Sequence, residues 1–323
     1  MCIRDRYKST LTNDELEELV KKTKELKEYQ DTPSSQEDLE KIPMLELSDI
    51  KREPAKDYND VKSVDGIKIV HHNIFTNKIA YINMSFDTKC VPDELIPYMG
   101  LLGSTLSLMD TKNYTYPELT NEININCGGL ATGTALYSDK VDFSKNTIVY
   151  EVKSKALYEK VPFVLGMMEE IMYNTRFDDY KRLKEIIARI KSRLEASLMG
   201  QGHSIAMLEC CAQFSESAYY SDILRGYKYY EFIKKLDEEF EQNKTQIVDK
   251  LNKLVGYIFN KDNVIVSLTA DDEGYDCFVK ALSAKSCNIK DEHYNTAVRS
   301  FIPVNVKTGY TSASQVQLSL IHI

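Results

Sequence analysis

The feature that most constrains the fold is an almost entirely apolar run near the end of the chain, NVIVSLTAD, residues 263–271. It follows a long stretch with the periodicity of helices, from Ser154 to Phe259. A strand with so few polar residues is typical of the middle of a sheet that other elements cover. The run therefore predicts a central strand that joins the sheet after most of the helices.

Four earlier runs supply the other predicted strands. GIKIVHHNIF (66–75) and KIAYINMSFD (78–87) are joined by a TNK turn, which predicts a hairpin, and LATGTALYSD and NTIVYEVKS come later. Helices are predicted over about 95–109 and 116–126, and an apolar stripe predicts another over 178–199. This order of elements predicts an α+β fold: a mostly antiparallel sheet covered by helices on one side.

The residues before the first strand have a different character. Thr12 or Asn13 is a suitable cap for a helix whose narrow apolar seam runs from Leu16 to Tyr29. Residues 31–60 contain prolines but also several large apolar side chains. We therefore expect an extended connector that follows a surface rather than a flexible tether.

Composition narrows the classes of partner. The 323 residues are enough for roughly two domains. A net charge of −8 argues against a nucleic-acid partner, which requires a basic face. No apolar run approaches the roughly 20 residues that a membrane helix needs, so no membrane partner is expected. The seven cysteines form no CxxC pair, which predicts reduced thiols and a cytoplasmic location.

One cluster of ligand-type residues has two interpretations. His203, Glu209 and Cys210 are residue types that bind zinc. On a helix, however, Glu209 and Cys210 would lie about 9–10 Å along the axis from His203, too far for one tetrahedral ion without other ligands. The alternative, which we favour, is a histidine at a helix start, bonded to backbone, with two buried thiols, Cys210 and Cys211.

Three other polar or aromatic groups also have structural explanations. The acidic run 271–273 follows the late strand, where capping and the helix dipole explain it better than acid–base catalysis. Tyrosines concentrate in 217–232, which indicates core plus rim or a peptide-binding surface. His71 and His72 are adjacent on a predicted strand, so they point to opposite faces and do not share a metal easily.

The passage TNEININCGGLATG, residues 120–133, combines a helix end, two glycines and the start of a strand. Thr115 and Glu118 form a capping box that predicts where this helix begins. A glycine at its end would supply a left-handed cap. A phosphate loop would precede a helix instead of a strand, so the order of elements argues against that function.

The segments HHNIFTNKIAYINMSFDT, ELIPYMGLLGSTLSLMDTKNYTYPELTNEININCGG, GHSIAMLE, FSESAYYSDILRGYKYYEFI and TSASQVQ occur in this order along the chain. Together they resemble the insulinase-like (pitrilysin-type) zinc peptidases, specifically the presequence-protease branch, over about residues 11–318. The resemblance implies a protein of four similar α+β domains. The first would carry an HxxEH zinc motif, and a linker would separate the second from the third.

The resemblance also implies that this domain has no zinc ligands. Setting Asp110-Thr111 against the family's Gly-Thr places Leu101, Ser104 and Thr105 where the catalytic domain has HxxEH. Leucine cannot coordinate zinc, and neutral hydroxyls are poor ligands beside imidazole and carboxylate. We therefore expect no catalytic residue and no bound zinc in this chain, with Leu101 and Thr105 facing the domain interior.

By the same resemblance, residues 11–60 are the linker between two halves of a longer protein. Residues 61–288 are then a non-catalytic peptidase-like domain, and 289–318 are the truncated start of the next domain. Residues 1–10 and 319–323 do not match the family pattern and are expected to be non-native ends.

The implied function is a part of a zinc-dependent metalloendopeptidase that degrades short unfolded peptides, with zinc in the full-length parent only. The expected partners are the peptide substrate and the N-terminal catalytic half of the same chain. Leu130, Ala131, Thr132 and Gly133 are a candidate edge for docking the peptide. The alternative is a non-catalytic scaffold member of the same family.

Overall fold

The computed structural model describes residues 7–53, 59–142, 145–284, 289–307 and 309. The chain divides into two compact units, Met1–Lys56 and Asp57–Ile323. Of the predicted non-native ends, residues 1–6 and 319–323 lie outside the described residues.

The first unit contains helix α1 (Asn13–Asp31) and the short helix α2 (Gln36–Glu40). Thr12 caps α1, as predicted: its hydroxyl accepts the Glu15 amide at 3.3 Å, and the Glu15 carboxylate accepts the Thr12 amide at 2.8 Å. Helix α1 buries none of its side chains. Within the described part of the chain, no helix has both the length and the apolar character needed to cross a membrane.

The second unit is built on one six-stranded sheet. Its strands are β1 (Asp60–Val64), β2 (Ile67–Asn73), β3 (Ile79–Asp87), β4 (Leu130–Ser138), β5 (Asn146–Leu157) and β6 (Val264–Ala270). The spatial order is β1-β2-β6-β3-β5-β4, and all neighbours are antiparallel except β2 and β6. The late apolar run is therefore a central strand, and the predicted α+β class is confirmed.

The predicted hairpin between residues 66–75 and 78–87 is wrong. Strand β6 lies between β2 and β3, which do not pair with each other. This insertion buries an apolar strand that would otherwise form an exposed edge. A hairpin does form one step earlier, because Asp65 and Gly66 adopt φ values of 50° and 82° and return the chain from β1 to β2.

Nine further helices lie in the described part of this unit. They are α3 (Ile96–Thr105), α4 (Tyr116–Asn126), α5 (Val161–Tyr173), α6 (Tyr180–Gly200), α7 (Gly202–Cys211), α8 (Glu216–Arg225), α9 (Tyr227–Glu238), α10 (Phe240–Ile258) and α11 (Asp272–Ser283). The predicted stripe of α6 is confirmed, since Leu183, Ile186 and Ile190 are buried.

The core lies on one face of the sheet. Alternate residues of β3 and β6, such as Ile82 and Leu268, are buried against helices. The residues between them, such as Tyr81 and Ser267, are exposed or half-buried. We call this second surface the open face, and it determines where a ligand can approach the sheet.

The tail after α11 forms no strand in its described part. The strand predicted to start near Phe301 is wrong for residues 301–307, which have neither helix nor strand. The tail instead contacts the loop after α7: the Val304 amide donates to the Gln213 carbonyl at 2.8 Å, and the Gln213 side-chain amide donates to Val306 at 2.8 Å.

We expect Gly100→Ala to destabilise the second unit by about 1–3 kcal/mol, because helix α3 packs tightly there. A Cβ on Gly100 would lie 2.8 Å from the Tyr229 ring and 2.9 Å from the Leu224 carbonyl oxygen. Gly200→Ala is the matched control, since nothing lies within 4 Å of its added Cβ. Urea unfolding followed by circular dichroism measures both, and equal midpoints would contradict the packing.

Candidate functional site

Helix α3 carries the three residues that the resemblance sets against the zinc ligands. Leu101 and Thr105 are fully buried, which confirms that they face the domain interior, and Ser104 is half-buried. The Thr105 hydroxyl donates to the Leu102 carbonyl oxygen at 3.0 Å, within the helix. A leucine and two hydroxyls are not a zinc ligand set, so these residues do not fit the metal. Their equivalence to HxxEH stays a prediction.

The same helix supports the start of β4. A Cβ on Gly103 would lie 3.3 Å from the Gly133 Cα and 3.4 Å from the Thr132 carbonyl oxygen. The Thr132 hydroxyl donates to the Gly103 carbonyl oxygen at 3.0 Å. The absence of a side chain at Gly103 thus lets helix and strand come into direct backbone contact.

The passage from α4 to β4 begins as predicted and ends differently. The Thr115 hydroxyl and amide donate to the Glu118 carboxylate at 2.7 and 2.9 Å, and these two bonds lower the pKa of Glu118. The predicted left-handed glycine cap is wrong, because Cys127 ends the helix in an extended conformation. The positive φ of 105° falls at Gly129, where the chain turns into β4.

Strand β4 forms one edge of the sheet within the described residues. It pairs antiparallel with β5 along its length, and the ladder continues with a bond from the Asp139 amide to the Lys145 carbonyl oxygen at 2.9 Å. Bonded and non-bonded pairs alternate in such a ladder. Every second residue of β4, beginning with Leu130 and including Thr132, therefore turns its backbone polar groups away from β5.

A cavity of about 450 Å³ opens on the open face, beside the start of β4. It is lined by residues of β3 to β6 and by Gly128 and Gly129. Lys153 and Lys155 contribute its two cations, and none of the residues that line it is acidic. Sequence reasoning missed these lysines, although their spacing of two in NTIVYEVKSK places them on one face of a strand.

A carboxylate beside this cavity joins three strands. Glu151 accepts hydrogen bonds from the Asn83 amide and the Tyr137 hydroxyl at 2.9 Å each, and Lys153 Nζ lies 2.6 Å from its Oε2. Burial alone would raise the pKa of Glu151, but Lys153, Asn83 and Tyr137 outweigh it and the pKa lies below the ordinary value. The charge of Lys153 is thus engaged within the sheet.

The zinc interpretation of His203 finds no geometric support. Among the described residues, the three ligand-type side chains whose donor atoms lie within 4.8 Å of one another are Asp262, Asp291 and His293, all exposed. The expectation of two buried thiols is also wrong: Cys210 is exposed and Cys211 half-buried, because α7 buries none of its residues.

Glu209 has a different neighbour from the one considered in the zinc interpretation. Burial, followed by the adjacent carboxyl group of Asp222, raises the pKa of Glu209. Asp222 itself is buried, and Lys228 Nζ lies 3.3 Å from its Oδ2. The group is a contact between helices α7, α8 and α9.

The structural explanations of the other clusters are confirmed. Asp271 caps α11: its carboxylate accepts the Gly274 amide at 3.0 Å and the Tyr158 hydroxyl at 2.8 Å, and these bonds lower its pKa. His71 is buried and contacts the Ala270 carbonyl oxygen, whereas His72, on the opposite face, contacts the Ser267 hydroxyl.

The tyrosines between residues 217 and 232 divide between core and rim. Tyr220 and Tyr229 are buried, while Tyr219, Tyr227 and Tyr230 are half-buried at the margin. Tyr219 and Tyr220 pack edge to face, with ring centroids 5.3 Å apart. These contacts account for the aromatic residues as packing between helices.

Comparison with known sequences assigns the family. The sequence profile of the peptidase-associated family of metallopeptidase family 16, subfamily C, matches residues 4–236, more than half of the chain. The chain therefore belongs to this family, within the insulinase-like peptidases and their presequence-protease branch.

Similar proteins include Protein HypA of Clostridium perfringens, which is 36% identical over 296 residues, covering 90% of this chain and 30% of that protein. Presequence protease 1, chloroplastic/mitochondrial, of Arabidopsis thaliana is 29% identical over 270 residues, covering 83% of this chain and 25% of that protein. The mitochondrial presequence protease of Drosophila melanogaster is 24% identical over 290 residues, covering 87% and 28%. The chain thus spans less than a third of the length of each.

We expect Glu151→Gln to lower the free energy of unfolding at pH 7 by about 1–2 kcal/mol, because three donors lose a charged acceptor. The pKa of Glu151 is lower in the folded state, so its contribution is present above the unfolded value and is lost as the pH falls through the folded value. The difference between variant and parent should therefore shrink below about pH 4.5.

Urea unfolding at a series of pH values measures this difference. Glu159→Gln, at an exposed position, is the control and should change stability little at any pH. A difference for Glu151→Gln that stayed constant down to pH 3 would contradict the charged network.

Proposed function

We propose that this chain forms the non-catalytic half of the substrate chamber of a zinc-dependent metalloendopeptidase that degrades short unfolded peptides. Zinc would be held by the N-terminal catalytic half of the same protein, and this chain would supply a wall and an edge for the peptide. Family membership and the relatives named as presequence proteases support a peptidase as the parent.

The observation that carries the proposal is the asymmetry of the sheet. One face is packed against helices, while the open face carries polar side chains and a cavity next to the unpaired edge of β4. An extended peptide can add to a sheet edge through backbone hydrogen bonds, which makes recognition independent of sequence. The residues in α3 that do not fit zinc agree with a wall that performs no chemistry itself.

A complementation assay tests this role. We expect the isolated chain to hydrolyse no unfolded peptide, and its addition to the separately produced N-terminal half of the natural protein to restore peptidase activity. A fluorogenic unfolded peptide, with and without a zinc chelator, provides the measurement. Turnover by the purified chain alone would refute the non-catalytic role.

The sequence of the natural gene upstream of this segment decides between the two family functions. An HxxEH motif there supports the peptidase, whereas its absence supports a non-catalytic scaffold. In the second case the reconstituted protein would assemble without hydrolysing peptide.

We expect Thr134→Pro to weaken binding of an unfolded peptide about fivefold or more, because it removes one outward amide from the edge of β4. The ladder register turns the amide of Thr134 away from β5, so the sheet itself keeps its hydrogen bonds. Thr134→Val is the matched control, since it keeps the amide and only replaces the hydroxyl. Fluorescence polarisation measures both, and equal affinities would argue against edge docking.

A further inference from the structure

The cavity on the open face has an uneven balance of charge. Of its two cations, Lys153 is paired with Glu151. Lys155 is exposed, and no described carboxylate lies within ion-pair distance of its ammonium group. Because none of the lining residues is acidic, the cavity of a chain with net charge −8 presents an unpaired positive charge. Such a site favours an anionic ligand.

The position of Lys155 is set by the glycine turn before β4. A Cβ on Gly128 would lie 2.7 Å from Lys155 Cε and 2.8 Å from its Cγ. The Gly128 amide also donates to the Lys155 carbonyl oxygen at 2.8 Å. The aliphatic stem of Lys155 therefore lies across Gly128, in space that any other residue would fill, and the cavity opens beside it.

The remaining lining favours a peptide end over a small inorganic anion. The Tyr81 ring, Leu130 and Ala131 give the cavity an apolar wall, and Asn83 and Ser267 supply polar groups. A volume of about 450 Å³ exceeds what one small anion fills and suits an amino-acid side chain together with its carboxylate. The cavity also adjoins the edge of β4, where an extended peptide would lie.

We propose that this cavity binds the C-terminal residue of a peptide. The terminal carboxylate pairs with the Lys155 ammonium, and the terminal side chain lies against Tyr81 and Ala131. The inference rests on the proposed function, since it names the part of the peptide that this chain recognises. It predicts a preference for peptides with a free C-terminus and an apolar last residue.

Fluorescence polarisation with peptides labelled at the N-terminus tests this site on the 323-residue chain. Three unstructured peptides of about eight residues are compared: one ending in phenylalanine with a free carboxylate, the same peptide amidated, and an amidated peptide with an internal glutamate. We expect amidation to weaken binding roughly fivefold, as for a partly exposed ion pair. The difference should decrease in high salt.

Variants assign the effect to Lys155. Lys155→Met should remove the difference between acid and amide, and Gly128→Ala, which displaces the lysine stem, should reduce it. Lys68→Met is the control, because Lys68 lies on β2 of the same face but outside the cavity. It should retain the full preference for the free acid.

Equal binding of acid and amide by the parent chain would overturn the inference, as would a preference that survives Lys155→Met. Binding restored by the internal glutamate would also overturn it, since any carboxylate would then suffice. No detectable binding of any peptide has the same consequence. In each case the complementation assay decides separately whether the chain serves a peptidase, because restored turnover does not depend on C-terminal recognition.

Discussion

Backbone hydrogen bonds on both sides of β6 hold the sheet together. This strand runs parallel to β2 and antiparallel to β3, and without it the β1-β2 hairpin and the β3-β5-β4 group would share no ladder. Its side chains Val266 and Leu268 lie in the core with no exposure. The chain reaches β6 only after helices α3 to α10, so sheet assembly depends on pairing between distant segments, which is slow compared with local structure.

The covered face and the open face follow from this arrangement. Strands alternate their side chains, and the helices pack where Ile82 and Leu268 point. The opposite side chains remain near solvent and form the Glu151 network and the lysine-lined cavity. Buried apolar contacts thus stabilise the domain from one side and leave the other free for recognition.

Helix α3 shows how a helix that the family resemblance aligns with a catalytic one can serve packing. Gly100 and Gly103 bring it against α8, α9 and the backbone of β4, and Leu101 fills the interior. Its role is to position the start of the edge strand. In the proposed enzyme, this wall would guide a peptide whose hydrolysis occurs elsewhere.

The sequence by itself determined the local features. The capping boxes at Thr12 and Thr115, the stripe of α6 and the central position of β6 follow from side chains within a few residues of one another or from the composition of one segment. The resemblance likewise identified the family from contiguous runs of residues, which need no tertiary contact to be recognised. The polar strand β1 was missed, although the Asp-Gly pair at its turn carried a local signal.

Only the tertiary structure decided the long-range choices. Whether β2 pairs with β3 or with β6 depends on backbone groups that every residue shares, and burial of a distant apolar strand selects the second arrangement. The approach of Lys155 to Gly128 and the meeting of Asn83 and Tyr137 at Glu151 join separate strands in the same way. No sequence pattern fixes such contacts, because they exist only once the sheet has closed around β6.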